Sequence, residues 1–480
     1  MTGIVSFGGY IPRLRLQRKS VAEANSWFNP GLKGQAKGER AICNWDEDAI
    51  TMAVEAARDA LTGIDRAKIT QLVLASTTLP FQDRNNATLV AQALTLRHDI
   101  QTLDITSSQR AATSALIQAL RGLRPGELAL VIASEKRRTK AASPQEMAYG
   151  DGAAAFVLGT EGVAASFVAS ESEAVDFVDH FRGQNRDFDY AWEERWIRDE
   201  GYNKIVPPVL KRLLDKTKLA GDAIAAFAMP CTLARVVQGI AKRVGIAEER
   251  VRDQLGAECG DTGVAHPLVM LAHALEQAKS GERILVATFA QGCDALLFQA
   301  TDALAKLPKR RGIAGSLARK KAEANYSRFL AFNDIVAIER GMRSEVDKQT
   351  ALSTLYRKRD MVTSLMGGKC RKCGTVQWPK SNVCVNPNCN EFKSQDDHPF
   401  AEQVGRIMSF TADLLTYSPD PPACSGMIQF DEGGRFMADF TDVEAGALKV
   451  GTPMQMMFRI KDYDSMRGFV RYFWKAAPAA

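Results

Sequence analysis

Histidine is scarce, with five residues in 480 positions, so imidazole chemistry falls to one of His98, His180, His266, His273 or His398. Long apolar runs are missing too: no uninterrupted stretch reaches the roughly 18 residues that a membrane-spanning helix needs, so no membrane span is expected. The opening MTGIVSFGGYIPR shows no charged leader followed by an apolar run. Export is therefore not expected, and a cytoplasmic place is. A strong charge imbalance is also lacking. A net charge of +6 spread over so long a chain does not by itself imply nucleic acid. It suits an anionic small ligand such as a phosphate-bearing coenzyme, or simple solubility.

What is present reads as an ordinary globular protein, 46% hydrophobic and 25% charged, and its length calls for two or three domains. Of the nine cysteines, Cys43, Cys231, Cys259 and Cys293 are scattered, while Cys370, Cys373, Cys384 and Cys389 are clustered, with Cys424 following. Such clustering points to metal rather than to disulfides. Cys370-x2-Cys373 followed by Cys384 and Cys389 can close a tetrahedron of soft thiolates around Zn2+. Four protein ligands leave no open coordination position, so the ion is structural. The second pair is spaced x4 rather than x2, which leaves a distorted or empty site as the alternative. Cys424 is expected to be a core thiol.

Residues 1–303 alternate short apolar strands with amphipathic helices: QLVLAST and LALVIASE read as buried strands, AITMAVEAARDAL and ATLVAQAL as helices. That alternation implies a layered α/β domain. GDGAAAFVLG and ERILVATFAQGCDALLFQA each read as a closing strand reached through a glycine turn, and their separation suggests two similar halves. Residues 304–355 are charge-rich, as in KLPKRRG and LARKKAEANYSR. They read as a partly helical connector that covers the first domain or a partner, or as a solvated linker. In 356–480 the cysteine cluster is followed by GRIMSF, MIQF, FMADF, MQMMFRI and RYFWK, short strands that suggest a small β-barrel.

The segment 356–476 resembles the DUF35 family, in which a rubredoxin-like zinc ribbon precedes an OB fold and the module accompanies thiolase-type enzymes. That association makes acyl-CoA the expected ligand and leaves nucleic acid unexpected. FGGYIPR, NWDEDAITMAVEAARDAL, STTLPFQDRNNATLVAQAL and YGDGAAAFVLG, in this order and spacing, resemble hydroxymethylglutaryl-CoA synthase and, more distantly, ketoacyl synthase III. The resemblance implies the five-layered αβαβα thiolase-like fold, a coenzyme A thioester or CoA plus a small molecule as substrate or cosubstrate, and a homodimer or larger assembly.

In that family a strand ending in Asp leads, five residues on, to a nucleophilic Cys at a helix start, where the helix N-terminus lowers the thiol pKa. Counting from Asp104 gives Gln109, with Arg110 beside it as a candidate to meet the coenzyme. An amide is not a nucleophile, so an acyl-enzyme is excluded there. Ser107 and Ser108 are close but would need a base. The family's histidine is replaced by Met229, Pro230 or Cys231 in AFAMPCTLARVV, and its asparagine by Asp261 in GDTGVAHPLVML. Cys231 is either a displaced nucleophile or a core thiol.

His180 and Tyr190, in the charged and aromatic segment 171–202, and His266 are further candidates for proton transfer. His98 and His273 read as structural, and His398 belongs to the later domain. The expectation is an enzyme that makes or breaks a carbon–carbon bond by retro-Claisen or retro-aldol chemistry on a β-keto or β-hydroxy acyl substrate, without the usual Cys. The alternatives are a hydroxymethylglutaryl-CoA synthase-type acyltransferase with a displaced thiol and a non-catalytic acyl-CoA-binding scaffold.

Overall fold

A computed structural model describes residues 1–479. They divide into two compact units: Met1–Asn44, Asp48–Ala91 and Leu96–Val336 form the first, and Trp45–Glu47, Gln92–Thr95 and the described residues from Ala337 on form the second.

The first unit is built on strands β1 (Gly3–Tyr10), β2 (Ile69–Ala75), β3 (Gln101–Ile105), β4 (Leu128–Glu135), β5 (Gly152–Gly159), β6 (Ala165–Ala174), β7 (Ala226–Ala228), β8 (Arg283–Phe289) and β9 (Gly292–Ala300). They form one nine-stranded mixed sheet in the order β7-β8-β9-β6-β1-β5-β4-β2-β3. Reading outward from β1 gives β5, β4, β2; reading outward from β6 gives β9, β8, β7. With the edge strand β3 set aside, the first strand of each half is followed by the last, the third and the second, the internal repeat that the glycine-flanked strands suggested. The halves join where Gly3 and Ile4 pair with Ser166 and Ala165. ERILVATFAQGCDALLFQA resolves into two strands, β8 and β9, paired antiparallel.

Four helices complete the layers: α1 (Ala49–Ala60), α2 (Ala111–Gly122), α3 (Asn203–Thr217) and α4 (His266–Gln277). The α1 helix starts where the Asp48 carboxylate accepts from the Ile50 and Thr51 amides, and Thr51 Oγ1 accepts from the Asp48 amide, a reciprocal cap. It covers β1, β4 and β5. On the other side α3 covers β6 and β9. Between them α2 and α4 are buried nearly all round, and their alanines and leucines share one core with Val73, Val131 and Phe156 of the first half and Val286 and Phe298 of the second. Helices apolar on every face belong in an interior. The resulting sequence of layers is αβαβα, as expected.

Part of the charge-rich stretch packs into this unit. Residues Gly312–Ala318 form a helix against β1, and Lys321–Glu323 pairs parallel with Leu14–Gln17. The Asp59 carboxylate holds the start of that helix by accepting from the Arg311 and Gly312 amides at 2.9 Å each.

In the second unit Met366–Cys370 pairs with Val376–Gln377 and Gln395–Pro399 to make the ribbon. Each short run read as a strand lies in the antiparallel five-stranded sheet that follows, ordered Arg435–Asp439, Ala423–Phe430, Val404–Asp413, Pro453–Asp464, Phe469–Pro478. A bridge between Phe440 and Ala476 brings the two outer strands together, which is how a barrel manages its edges. No described helix is long and apolar enough to cross a membrane.

Candidate active site and zinc centre

Asp104, near the end of β3, accepts hydrogen bonds from the amides of Asn86 and Ala87 at 2.7 and 2.8 Å and so caps the helix Asn86–Ala93. The chain then turns sharply. Ser107 has φ +72°, a left-handed conformation that costs a non-glycine residue about 1–3 kcal/mol and collects at functional sites. Ser108 Oγ accepts from the Arg110 amide at 3.1 Å, and α2 begins at Ala111. Gln109 sits in this turn, half-buried, with its Oε1 shielded from water and without a hydrogen-bond partner.

The neighbours of that oxygen come from distant segments. A Cβ on Gly263 (φ +57°) would lie 2.7 Å from Arg137 Cδ and 3.0 Å from both Gln109 Oε1 and Glu135 Cγ. Only glycine lets the three side chains converge. The Gly263 amide in turn donates to Asp261 Oδ1 at 2.7 Å. Asp261 is fixed through its backbone as well, exchanging hydrogen bonds with Gly150 and Ala148 at 2.8 Å each. Gly263→Ala is expected to cost about 1–3 kcal/mol from the imposed left-handed backbone alone, read as a lower midpoint in urea denaturation.

Arg137 is the buried cation of the group. Its guanidinium lies 3.5 Å from the centre of the Tyr149 ring and donates to Asp189 at 2.6 Å. Burial alone would lower its pKa, but Tyr149, Asp189 and Asp261 hold it above the ordinary value. Arg182 donates to the other Asp189 oxygen at 3.1 Å.

Asp261 also lines a cleft of about 480 Å3 with Cys231, Gln254 and His266, and the same cleft carries Arg18, Lys37 and Arg235. Cys231 is buried and hydrogen-bonded to Tyr202, and burial pushes its thiol up to about 12. His266 is 1% exposed, and both ring nitrogens are engaged: Nδ1 accepts from the Thr262 amide at 3.1 Å, and Nε2 faces the Gln254 carbonyl at 2.9 Å. A ring with both nitrogens so used fixes the Nε2–H tautomer and shapes the turn that carries Asp261 and Gly263.

The structure thus brings Gln109 and Asp261 together around Gly263, and puts His266 in the same cleft as Asp261. His180 lies close enough to Asp189 of that group for its charge to act there, and its Nδ1 is 2.9 Å from Asp179. Tyr190 is 53% exposed on a two-stranded ribbon, its ring against Phe181 and Trp192. Arg110, singled out for the coenzyme, instead directs its guanidinium at Asp294 (2.8 Å) and the carbonyls of Ala290 (2.8 Å) and Gln291 (3.2 Å). Sequence reasoning passed over Glu135, Arg137, Asp189 and Gly263. The one local signal was an acid at the end of an otherwise apolar strand, followed by a run of bases in SEKRR.

In the ribbon the Sγ atoms of Cys370, Cys373, Cys384 and Cys389 all lie within 4.8 Å of one another. The pairs Cys370–Cys389 and Cys373–Cys384 are 3.9 and 3.5 Å apart. A tetrahedron with Zn–S bonds of about 2.3 Å has edges of about 3.8 Å, so the set fits Zn2+. These four residues would hold it as a closed structural site.

Residues 363–393 match the ChsH2 rubredoxin-like zinc ribbon domain, 399–459 the ChsH2 C-terminal OB-fold domain, and 214–298 the C-terminal domain of 3-oxoacyl-[acyl-carrier-protein] synthase III. Hydroxymethylglutaryl-CoA synthase of Caldivirga maquilingensis is 27% identical over 351 residues, covering 71% of this chain and 99% of that protein. The enzyme of Aeropyrum pernix is 30% identical over 312 residues, covering 63% and 86%. A solved HMG-CoA synthase complexed with CoA superposes with a TM-score of 0.61 over 71% of this chain and 92% of that one, a likeness of fold at 16% identity. The chain is thus a thiolase-superfamily enzyme of the acyl-CoA condensing type, and it belongs to the hydroxymethylglutaryl-CoA synthase family.

Proposed function

We propose that this enzyme makes or breaks the carbon–carbon bond beside a CoA thioester without an acyl-cysteine, and that its substrate is a β-hydroxyacyl-CoA cleaved or formed by aldol chemistry. The observation that carries this is Gln109, at the helix start where the family resemblance expects the nucleophile, with a buried and unpartnered Oε1. A buried acceptor without a donor costs about 1–3 kcal/mol, and a substrate hydroxyl bound there removes that cost. A half-turn of the amide presents Nε2 instead, a donor for an enolate oxygen.

In the cleavage direction a base takes the β-hydroxyl proton and the Cα–Cβ electron pair moves onto the thioester as an enolate. Cβ leaves as a carbonyl compound, and the enolate regains a proton at Cα. No group passes to the protein. Asp261 suits the base role, since its carboxylate lines the cleft and is fixed by the Gly263 amide. His180, paired with Asp179, is the imidazole alternative, since both ring nitrogens of His266 are already engaged. Arg137 supplies preorganised positive charge beside the site. Arg18, Lys37 and Arg235, in the same cleft, suit the phosphates of coenzyme A.

A displaced-thiol mechanism at Cys231 has the opposite support. A thiol raised to about 12 by burial is almost wholly protonated at neutral pH, and the thiolate is the nucleophile.

Incubation with a β-hydroxyacyl-CoA is expected to give a shortened acyl-CoA and an aldehyde or ketone, with no acyl mass added to the intact protein. Gln109→Ala is expected to lower kcat/KM by roughly 100-fold. A stable acyl adduct on Cys231 or another cysteine overturns the proposal. CoA binding with no conversion returns the chain to the acyl-CoA-binding reading.

A further inference from the structure

Glu135 has no part in the scheme above, yet it is a wholly buried acid next to Gln109. It ends β4, whose apolar run carries it into the interior. Its Oε1 accepts from Thr77 Oγ1 at 2.6 Å, and its Oε2 from the Thr77 amide at 2.9 Å and Ser76 Oγ at 3.3 Å. Thr77 is itself held in place, because Arg182 donates to its carbonyl and Arg182 and Arg137 share Asp189. Glu135 Cγ and Gln109 Oε1 each stand 3.0 Å from the space above Gly263, so they are at most twice that distance apart.

Burial pushes the Glu135 carboxyl up, opposed by the Thr77 hydrogen bonds and by the charges of Arg137 and Arg182. A carboxyl raised in this way holds a proton closer to neutral pH than a surface glutamate does. Structural carboxylates buried for packing are usually neutralised by a direct ion pair, whereas the donors contacting Glu135 are hydroxyls and an amide.

We propose that Glu135 is the acid–base residue that gives a proton to, and takes one from, the α carbon of the acyl-CoA, with Thr77 orienting its carboxyl. This rests on the carbon–carbon bond reading above. In the cleavage direction the carboxyl O–H bond breaks and a Cα–H bond forms, quenching the enolate and leaving a carboxylate. The proton removed from the β-hydroxyl restores the carboxyl through the site, so cleavage releases no net proton. In the synthetic direction the carboxylate removes the α proton and the same steps run backwards.

The test is exchange of the α hydrogens of acetyl-CoA with D2O, read by mass spectrometry alongside turnover of a β-hydroxyacyl-CoA. The unaltered enzyme is expected to exchange. Glu135→Gln keeps the shape and removes the proton. It is expected to slow both exchange and kcat by about 100- to 10,000-fold, with KM and the melting temperature little changed. Glu135→Asp is expected to recover part of the exchange. Thr77→Val leaves the acid but frees it, and is expected to shift the pH profile of exchange while lowering its rate. Exchange at the unaltered rate in Glu135→Gln, with cleavage intact, overturns this proposal alone. Neither exchange nor cleavage in the unaltered enzyme overturns both readings together.

Discussion

Stripping the metal from the ribbon with a strong chelator is expected to unfold Met366–Cys370, Val376–Gln377 and Gln395–Pro399, seen as loss of amide hydrogen-exchange protection in those strands. Metal analysis before treatment is expected to give one zinc per chain. The size of the effect follows from how little else holds the segment. Its central strand is five residues long and contains two glycines, and Val376–Gln377 is only two residues long. The turns that present the thiols are held by a few short-range backbone bonds: the Gly374 amide to the Cys370 carbonyl at 2.8 Å and the Cys370 amide to the Thr375 carbonyl at 2.9 Å in one, and the Cys389 and Asn390 amides to the Asn386 carbonyl at 2.9 and 3.1 Å in the other. Against that small framework the apparent free energy of zinc binding to ribbon-like peptides, about 10–16 kcal/mol at neutral pH, dominates.

Hydroxyls favour deprotonated sulfur at Cys370 and Cys373, while the crowded neighbouring thiols help to push Cys384 and Cys389 up. The Thr375 hydroxyl and amide draw the Cys373 thiol down to about 6, and Ser394 Oγ lies 3.1 Å from Cys370 Sγ. Because zinc needs thiolates, its affinity falls as pH falls, so chelation is expected to proceed faster at lower pH. Cys384→Ser, which removes a buried ligand, is expected to reproduce the unfolding without chelator. A ribbon that stays protected after complete metal loss would falsify a zinc-dependent fold.

The legibility of these features in the sequence follows from chain distance. The zinc ligands fall within twenty residues, and thiol chemistry is written in the residue type, so spacing alone assembles the site. The layered fold was legible for a similar reason, since a buried strand such as LALVIASE and a largely apolar helix such as HPLVMLAHAL carry their burial in their own composition. The group around Gly263 was not. Thr77, Gln109, the Glu135–Arg137 pair, Asp189 and Gly263 come from five separate segments, and their meeting depends on three side chains filling the space a Cβ would take. His266 shows the same limit in another form. Its position near Asp261 could be read from GDTGVAHP, but its role could not, because the partner of its Nε2 is the carbonyl of Gln254, in a loop with no pattern of its own. Arg110 was legible as a cation beside the turn, while its partner Asp294 is supplied from the far half of the unit.

That partner carries the other large expected effect. Asp294→Ala is expected to destabilise the first unit by about 3–5 kcal/mol, read by urea denaturation followed through hydrogen exchange in α2 and β9. Asp294 is 1% exposed, and its two oxygens collect Arg110 Nη1 at 2.8 Å, Thr113 Oγ1 at 3.0 Å, Ser114 Oγ at 2.8 Å and Ser172 Oγ at 2.7 Å. Removing it leaves a guanidinium in the interior with its counter-charge gone and three hydroxyls without their acceptor. The cost is thus mainly that of the groups left behind. Arg110 is the residue next to Gln109, so loss of its anchor also frees the turn that presents the amide, and kcat is expected to fall further than stability alone accounts for. A double-mutant cycle separates the two consequences. Combining Asp294→Ala with Arg110→Met removes the stranded charge and is expected to recover about 0.5–3 kcal/mol relative to the sum of the single changes. Turnover is expected to stay low in the double variant, since neither change restores the tie that fixes Gln109. Full recovery of turnover along with stability would mean that Asp294 acts on the fold and not on the position of Gln109.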